Sequence, residues 1–153
     1  MIPHLLGFNP ADSLVMLGIG GPHARIRLTF RYDLPDALDR ALAGDVAAHA
    51  AAVLHRQHLT MTVAVGYGPA DVVEAMMAAL VPALRDADVD VQDLIRVADG
   101  RYWSLACADP GCCPPDGVPF DTDGHPASEA LAAAGLPVRA DRAALAATLA
   151  PEP

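Results

Sequence analysis

Thr60-Met61-Thr62-Val63-Ala64-Val65-Gly66-Tyr67-Gly68-Pro69 reads as a short buried strand that ends in a turn and passes into a helix. Thr60–Val65 is a β-branched run of strand length, of the kind found where both faces of a sheet are covered. Gly66-Tyr67-Gly68 breaks it, and Pro69 suits the first turn of a helix, where its missing N–H costs nothing. Beyond it, Val72, Val73, Met76, Met77, Leu80 and Leu84 recur at helical spacing, and Pro82 is expected to kink or end that helix early. Val89–Val97 is again a strand. Strand, helix and strand in this order imply a parallel crossover, and that fixes the class as α/β.

Working outward, Pro35–His58 carries Leu38, Leu42, Val46, Ala50, Val53 and Leu54 at helical spacing. Upstream, Ser13–Ile19 is an apolar strand after the turn signal Asn9-Pro10-Ala11-Asp12. Ala24–Tyr32 then alternates strictly, with Arg25, Arg27 and Arg31 on one side and Ile26, Leu28, Phe30 and Tyr32 on the other. Gly20-Gly21-Pro22 between the two marks an antiparallel hairpin. Downstream, Ala98-Asp99-Gly100 signals a second hairpin into Arg101–Leu105. A long Pro- and Gly-rich loop over 106–126 follows, then two short helices near Ala127–Ala134 and Asp141–Leu149. The expected architecture is one α/β domain over residues 1–153. Its mixed five-stranded sheet has the order β-β-α-β-α-β-β, followed by the loop and α-α.

Composition narrows function. The 153 residues carry 10 Lys+Arg against 19 Asp+Glu, a net charge of −9, and every basic residue is an arginine. Without lysine there is no Schiff-base chemistry and no P-loop cation. The acidic balance argues against nucleic-acid binding, which relies on a dense basic surface. No stretch approaches the roughly 18 apolar residues of a membrane span. The N-terminus lacks the basic and apolar regions of a secretory signal, so a cytoplasmic protein is expected.

The chemistry-bearing residues gather late in the chain. Cys107, Cys112 and Cys113 are its only cysteines, too few and too close together for a disulfide framework. Cys107, either Cys112 or Cys113, His125 and one carboxylate among Asp109, Asp121 and Asp123 would supply the four donors that Zn²⁺ takes in a tetrahedron. The spacing is not that of a zinc finger or ribbon, and adjacent cysteines are awkward joint ligands. The same residues also read as small side chains pinning an irregular loop, or as a redox or nucleophilic thiol. Asp121-Thr122-Asp123-Gly124 fails the calcium-loop template, which needs a glutamate six residues after the glycine. The Gly66–Asp71 turn is explained as a helix start. No serine or histidine has the surroundings of a hydrolytic triad. Tyr102 and Trp103, on opposite faces of a strand, place one aromatic against a ligand, the Cys loop or the C-terminal helices.

Three stretches taken together carry a resemblance: Pro3-His4-Leu5-Leu6-Gly7-Phe8 with Pro10-Ala11-Asp12-Ser13-Leu14-Val15, then Gly100-Arg101-Tyr102-Trp103-Ser104, then Cys107-x-Asp109-Pro110-x-Cys112-Cys113-Pro114-Pro115-x-Gly117. The chain resembles the actinobacterial domain of unknown function family 4192 over essentially its whole length. That resemblance brings no activity with it. It implies that Asp12, Arg101, Trp103, Cys107, Asp109, Cys112 and Cys113 form one constellation. The leading expectation is a small-molecule- or metal-binding module, with its site at 101–117 near the 10–13 turn. Asp12, Ser13, Arg101, Tyr102, Trp103 and Asp109 would hold the ligand, and Cys107, Cys112, Cys113 and His125 a zinc ion. The alternatives are an enzyme with a cysteine nucleophile or zinc-activated water, and a structural domain that self-associates through a sheet edge or an Ala-rich helix.

Overall fold

The computed structural model describes residues 1–121 and 126–149. They form a mixed α/β chain with a six-stranded mixed sheet and, among the described residues, five helices. The chain divides into two compact units, one comprising Asp12–Pro119 and the other Met1–Ala11 with Phe120–Pro153.

The larger unit contains β1 (Ser13–Gly20), β2 (Arg25–Asp33), α2 (Arg40–Arg56), β3 (Met61–Tyr67), α3 (Ala70–Asp86), β4 (Asp90–Ala98), β5 (Arg101–Ser104) and β6 (Val118–Pro119). The strands lie in the order β2-β1-β3-β4-β5-β6. β3 and β4 are parallel, from Met61↔Asp90 to Tyr67↔Val97, and the other pairings are antiparallel. β1 therefore lies between β2 and β3, and α2 carries the chain across it. The sixth strand was not expected from sequence: two residues, one a proline, are too short to show any alternation.

The Asp-Gly hairpin is present as expected. Asp99 (φ 51°) and Gly100 (φ 69°) both take the left-handed conformation that a two-residue turn demands, and Ala98 pairs with Arg101 across it. α2 begins later than its apolar spacing suggests. Asp39 is its N-cap, accepting a hydrogen bond from the Leu42 amide at 2.8 Å. Its buried face is Ala43, Ala47, Ala50, Ala51 and Leu54; Ala50 and Leu54 lie where the spacing put them and Leu38 and Val46 pack against the core, but Leu42 is exposed. Alanines let the helix axis approach the sheet closely.

α3 continues through Pro82 to Asp86, so the helix does not end at the proline. Pro82 and Ala78, one turn earlier, both face solvent. Water can take the carbonyl that the proline leaves unbonded, while Val72, Val73, Met76, Met77, Leu80 and Leu84 keep the buried face continuous. These side chains join Leu14, Met16, Ala64 and the α2 alanines in one core on one face of the sheet. Close approach is built in at Gly66, where an added Cβ would collide with Val73 of α3.

In the smaller unit, α1 (Ile2–Leu6) is a single helical turn closed by Gly7 in the left-handed conformation (φ 80°), its amide bonded to Pro3 O. Phe8 bridges in parallel to Arg139, with Asn9 N to Arg139 O at 3.0 Å and Arg139 N to Gly7 O at 2.8 Å. α4 (Pro126–Ala133) and α5 (Arg142–Ala147) follow, the latter capped by Asp141. No helix among the described residues is long and apolar enough to cross a membrane.

Candidate functional site

The segment after β5 folds back on itself. Leu105 N bonds to Leu94 O at 2.7 Å, extending the β4–β5 ladder by one residue. The chain then turns around Asp109. Its side chain accepts from Gly111 N at 2.9 Å, and its carbonyl accepts from the amides of Cys112 (3.1 Å) and Cys113 (2.7 Å). This double turn curls residues 109–113 back toward Cys107. As a result the three sulfurs lie within 4.8 Å of one another, the two adjacent cysteines included. All three are free thiols at least partly open to solvent.

The return limb is held by strand β5. Arg101 Nη1 donates to the carbonyls of Asp116 (3.2 Å) and Gly117 (3.0 Å), and Trp103 Nε1 donates to Pro115 O at 2.9 Å. Gly117 sits against the indole with φ +74°, and a Cβ there would stand 2.5 Å from Trp103 Cε2. Glycine is required on both conformational and steric grounds. Arg96 of β4, paired with Trp103 across the ladder, lays its guanidinium 4.3 Å from the indole centre and donates to Gly68 O at 3.1 Å. The spaced arginine, tryptophan and glycine are thus a clamp that positions the thiols.

A cleft of about 500 Å³ opens beside the trio. Its walls include Tyr102, Trp103, Leu105, Pro114 and Val118, together with Asp93. The Asp93 carboxylate is fixed by Ser104 Oγ at 2.7 Å and Leu94 N at 2.8 Å. Tyr102 and Trp103 pair with Val97 and Arg96 respectively, so they point to opposite faces, and both reach the cleft at the sheet margin.

The trio has unequal protons. The Cys113 thiol, and next the Asp109 backbone, hold Cys107 below the ordinary thiol range. Cys113 is pushed up to about 12, chiefly because its proton serves the hydrogen bond to Cys107. Of these two sulfurs Cys107 ionises first, and Cys113 shares its proton with it.

The remaining expected residues lie elsewhere. Asp12 (φ 41°) precedes β1, its carbonyl accepts from Leu34 N at 2.7 Å, and its carboxylate lies by Gly68. Ser13 is wholly buried, and its Oγ accepts from Arg31 Nη2 at 2.6 Å. β3 and β4 separate β1 from β5, and neither Asp12 nor Ser13 lines the cleft. Asp109 and Arg101 build the loop without lining the cleft. His125, and with it Thr122, Asp123 and Gly124 of the calcium-like fragment, lies outside the described residues. Sequence reading missed Arg96 and Asp93, and it had Gly117 in the motif without its contact to Trp103. The signal for Arg96 is its place in register opposite Trp103, visible once the Asp99-Gly100 turn fixes the pairing.

No curated protein and no solved structure matches the chain. A family model does, and it covers the two N-terminal segments, the β5 clamp and the cysteine loop alike. Its match spans residues 1–153, so the chain belongs to the family described as Domain of unknown function (DUF4192).

Proposed function

We propose that the chain is a soft-metal-binding module whose ligands are the thiolates of Cys107, Cys112 and Cys113. The observation that carries this reading is the convergence of three sulfurs within 4.8 Å. A metal–sulfur bond of about 2.3 Å sets ligand sulfurs about 3.8 Å apart in a tetrahedron and about 4.0 Å apart in a trigonal plane. Small side-chain rotations close the trio onto one ion, and the Asp109 turn and the Arg101–Trp103 clamp already supply the backbone shape. Thiolates favour soft and borderline ions over magnesium or calcium. Free thiols of this kind persist in a reducing compartment, so the reading places the chain in the cytoplasm.

The test is metal analysis of protein purified reduced and without chelator, followed by titration with cadmium while the sulfur-to-metal absorbance is recorded. About one thiophilic ion per chain is expected, with all three thiols protected from alkylation. Failure to bind any thiophilic ion would end the proposal.

A second reading draws on the thiolate character of Cys107, held by its neighbour Cys113. Cys107 is then a nucleophile and the cleft beside it the place of its electrophile. Rapid, singular alkylation of Cys107 in a protein that binds no ion would favour this second reading.

A further inference from the structure

We infer that the thiol trio is built for a three-coordinate trivalent metalloid, arsenic(III) or antimony(III), in preference to a four-coordinate divalent metal. This rests on the soft-metal reading above and names the ion.

The argument begins with donor number. Among the described residues, the histidine, cysteine and carboxylate side chains that could share an ion at this place are the three cysteines. The nearby polar side chains are held in place by bonds of their own. Asp109 Oδ1 takes the Gly111 amide, Asp93 Oδ1 takes Ser104 Oγ and Leu94 N, and Trp103 Nε1 donates to Pro115 O. Zn²⁺ seeks four ligands and would have to recruit water for the fourth. A trivalent metalloid bonds three sulfurs in a pyramid and leaves a lone pair on the open side. The cleft that the sulfurs line is walled mostly by Leu105, Pro114, Pro115, Val118 and the Trp103 ring, with Asp93 held by Ser104 as its charged group, and a largely apolar surface suits a lone pair better than a hydrated ligand.

Charge points the same way. Three thiolates leave a zinc complex at −1 and a copper(I) complex at −2, whereas a trivalent centre is neutralised. The chain is already at −9 and has no lysine. Its two arginines at the loop are occupied, Arg101 with the carbonyls of Asp116 and Gly117 and Arg96 with Gly68 O and the indole. A neutral complex adds no further negative charge beside the Asp93 carboxylate of the same cleft, whereas the zinc and copper(I) complexes would.

The binding step balances without an oxidant. Arsenous acid, As(OH)₃, reacts with three cysteine thiols. Three As–O bonds break, three As–S bonds form, each thiol proton leaves with a hydroxyl as water, and arsenic remains trivalent throughout.

The experiment titrates the reduced full chain with arsenite under anaerobic conditions, alone and against zinc. Absorbance, intact mass and residual thiol are read out. Phenylarsine oxide, which has only two exchangeable bonds, is run in parallel on Cys107→Ser, Cys112→Ser and Cys113→Ser. One arsenic per chain is expected, with loss of all three thiols and displacement of any zinc. Each serine variant should lose about a hundredfold in arsenite affinity, since one tethered bond is gone, while still taking phenylarsine oxide on its remaining pair. Arsenite affinity unchanged in any serine variant would overturn three-fold ligation. Zinc binding that arsenite cannot displace would overturn the inference and leave the soft-metal reading standing. Failure of zinc, cadmium, copper(I) and arsenite alike would remove both.

Discussion

The helix-covered centre of the sheet and the cysteine loop at its margin are held together by different forces. Around Leu14, Met16, Ala64, Met76 and Leu80 the structure is a packed volume, with side chains wholly out of water and glycine or alanine where elements approach closely. Around Cys107–Gly117 little is buried. The loop keeps its shape because Arg101, Trp103 and Asp109 each donate to or accept from a specific backbone group. The centre is sensitive to volume and indifferent to direction, whereas the loop is sensitive to direction. Stability and ligand geometry are therefore separable in this molecule, and substitutions can be chosen to test that separation.

The largest effect is expected from Leu80→Ala. Leu80 is wholly buried, and truncation should cost about 2–5 kcal/mol of global stability in thermal or urea unfolding. Binding of cadmium to the surviving folded fraction should be unchanged. Altered cadmium stoichiometry in that fraction would show that the two regions are coupled.

Gly117→Ala is the reverse probe. Its positive φ and the collision with Trp103 should cost about 1–3 kcal/mol, confined to the loop. Cadmium affinity should fall while the main unfolding transition stays close to that of the parent. A drop in global stability as large as that of Leu80→Ala would mean that the loop belongs to the core.

Trp103→Phe should act more gently. It keeps an aromatic plate beneath Arg96 but loses the bond to Pro115 O, worth about 0.5–1.5 kcal/mol. A modest fall in cadmium affinity, with more rapid exchange of the amides in 114–117, is the expected result. Unchanged affinity would show that Arg101 alone is a sufficient clamp.

The smallest effect is in proton affinity. Cys107 is held below the ordinary thiol range, so its alkylation rate should rise with pH and level off at a lower pH than that of a free thiol. Cys113 should become reactive only as the pH approaches 12. Cys113→Ala removes the S–H that stabilises the Cys107 thiolate, so the Cys107 midpoint should move to higher pH. A Cys107 midpoint that Cys113→Ala does not move would show that the Asp109 backbone alone holds the thiolate.

Much of the fold was legible because its signals are local. The apolar face of α3 follows from helical spacing, and the β4–β5 hairpin from Asp99-Gly100, since few other pairs take two left-handed residues in succession. The gathering of the cysteines was legible for the same reason. The continuation of α3 past Pro82 was not legible, because a proline's cost depends on whether the orphaned carbonyl meets water, which is a property of the packed helix. Part of the α2 face, Ala43, Ala47 and Ala51, was not legible because alanines contribute little to an apolar pattern yet decide how closely a helix can lie on a sheet.

By itself, the sequence determined the class, the element order from β1 through β5, and the family to which the chain belongs, all of which are written in periodicity and short motifs, whereas the single turn of α1 carries no such signal. Tertiary structure alone decided that β1 lies between β2 and β3, and so that Asp12 and Ser13 stand apart from the thiols. It also decided that Arg101, Trp103 and Gly117 serve the loop's shape, and that two adjacent cysteines turn toward a third. The physical reason is common to all of these. Strand order, the aim of a hydrogen bond and the convergence of side chains are relations between residues distant along the chain or turned by a fold, and no local pattern encodes them.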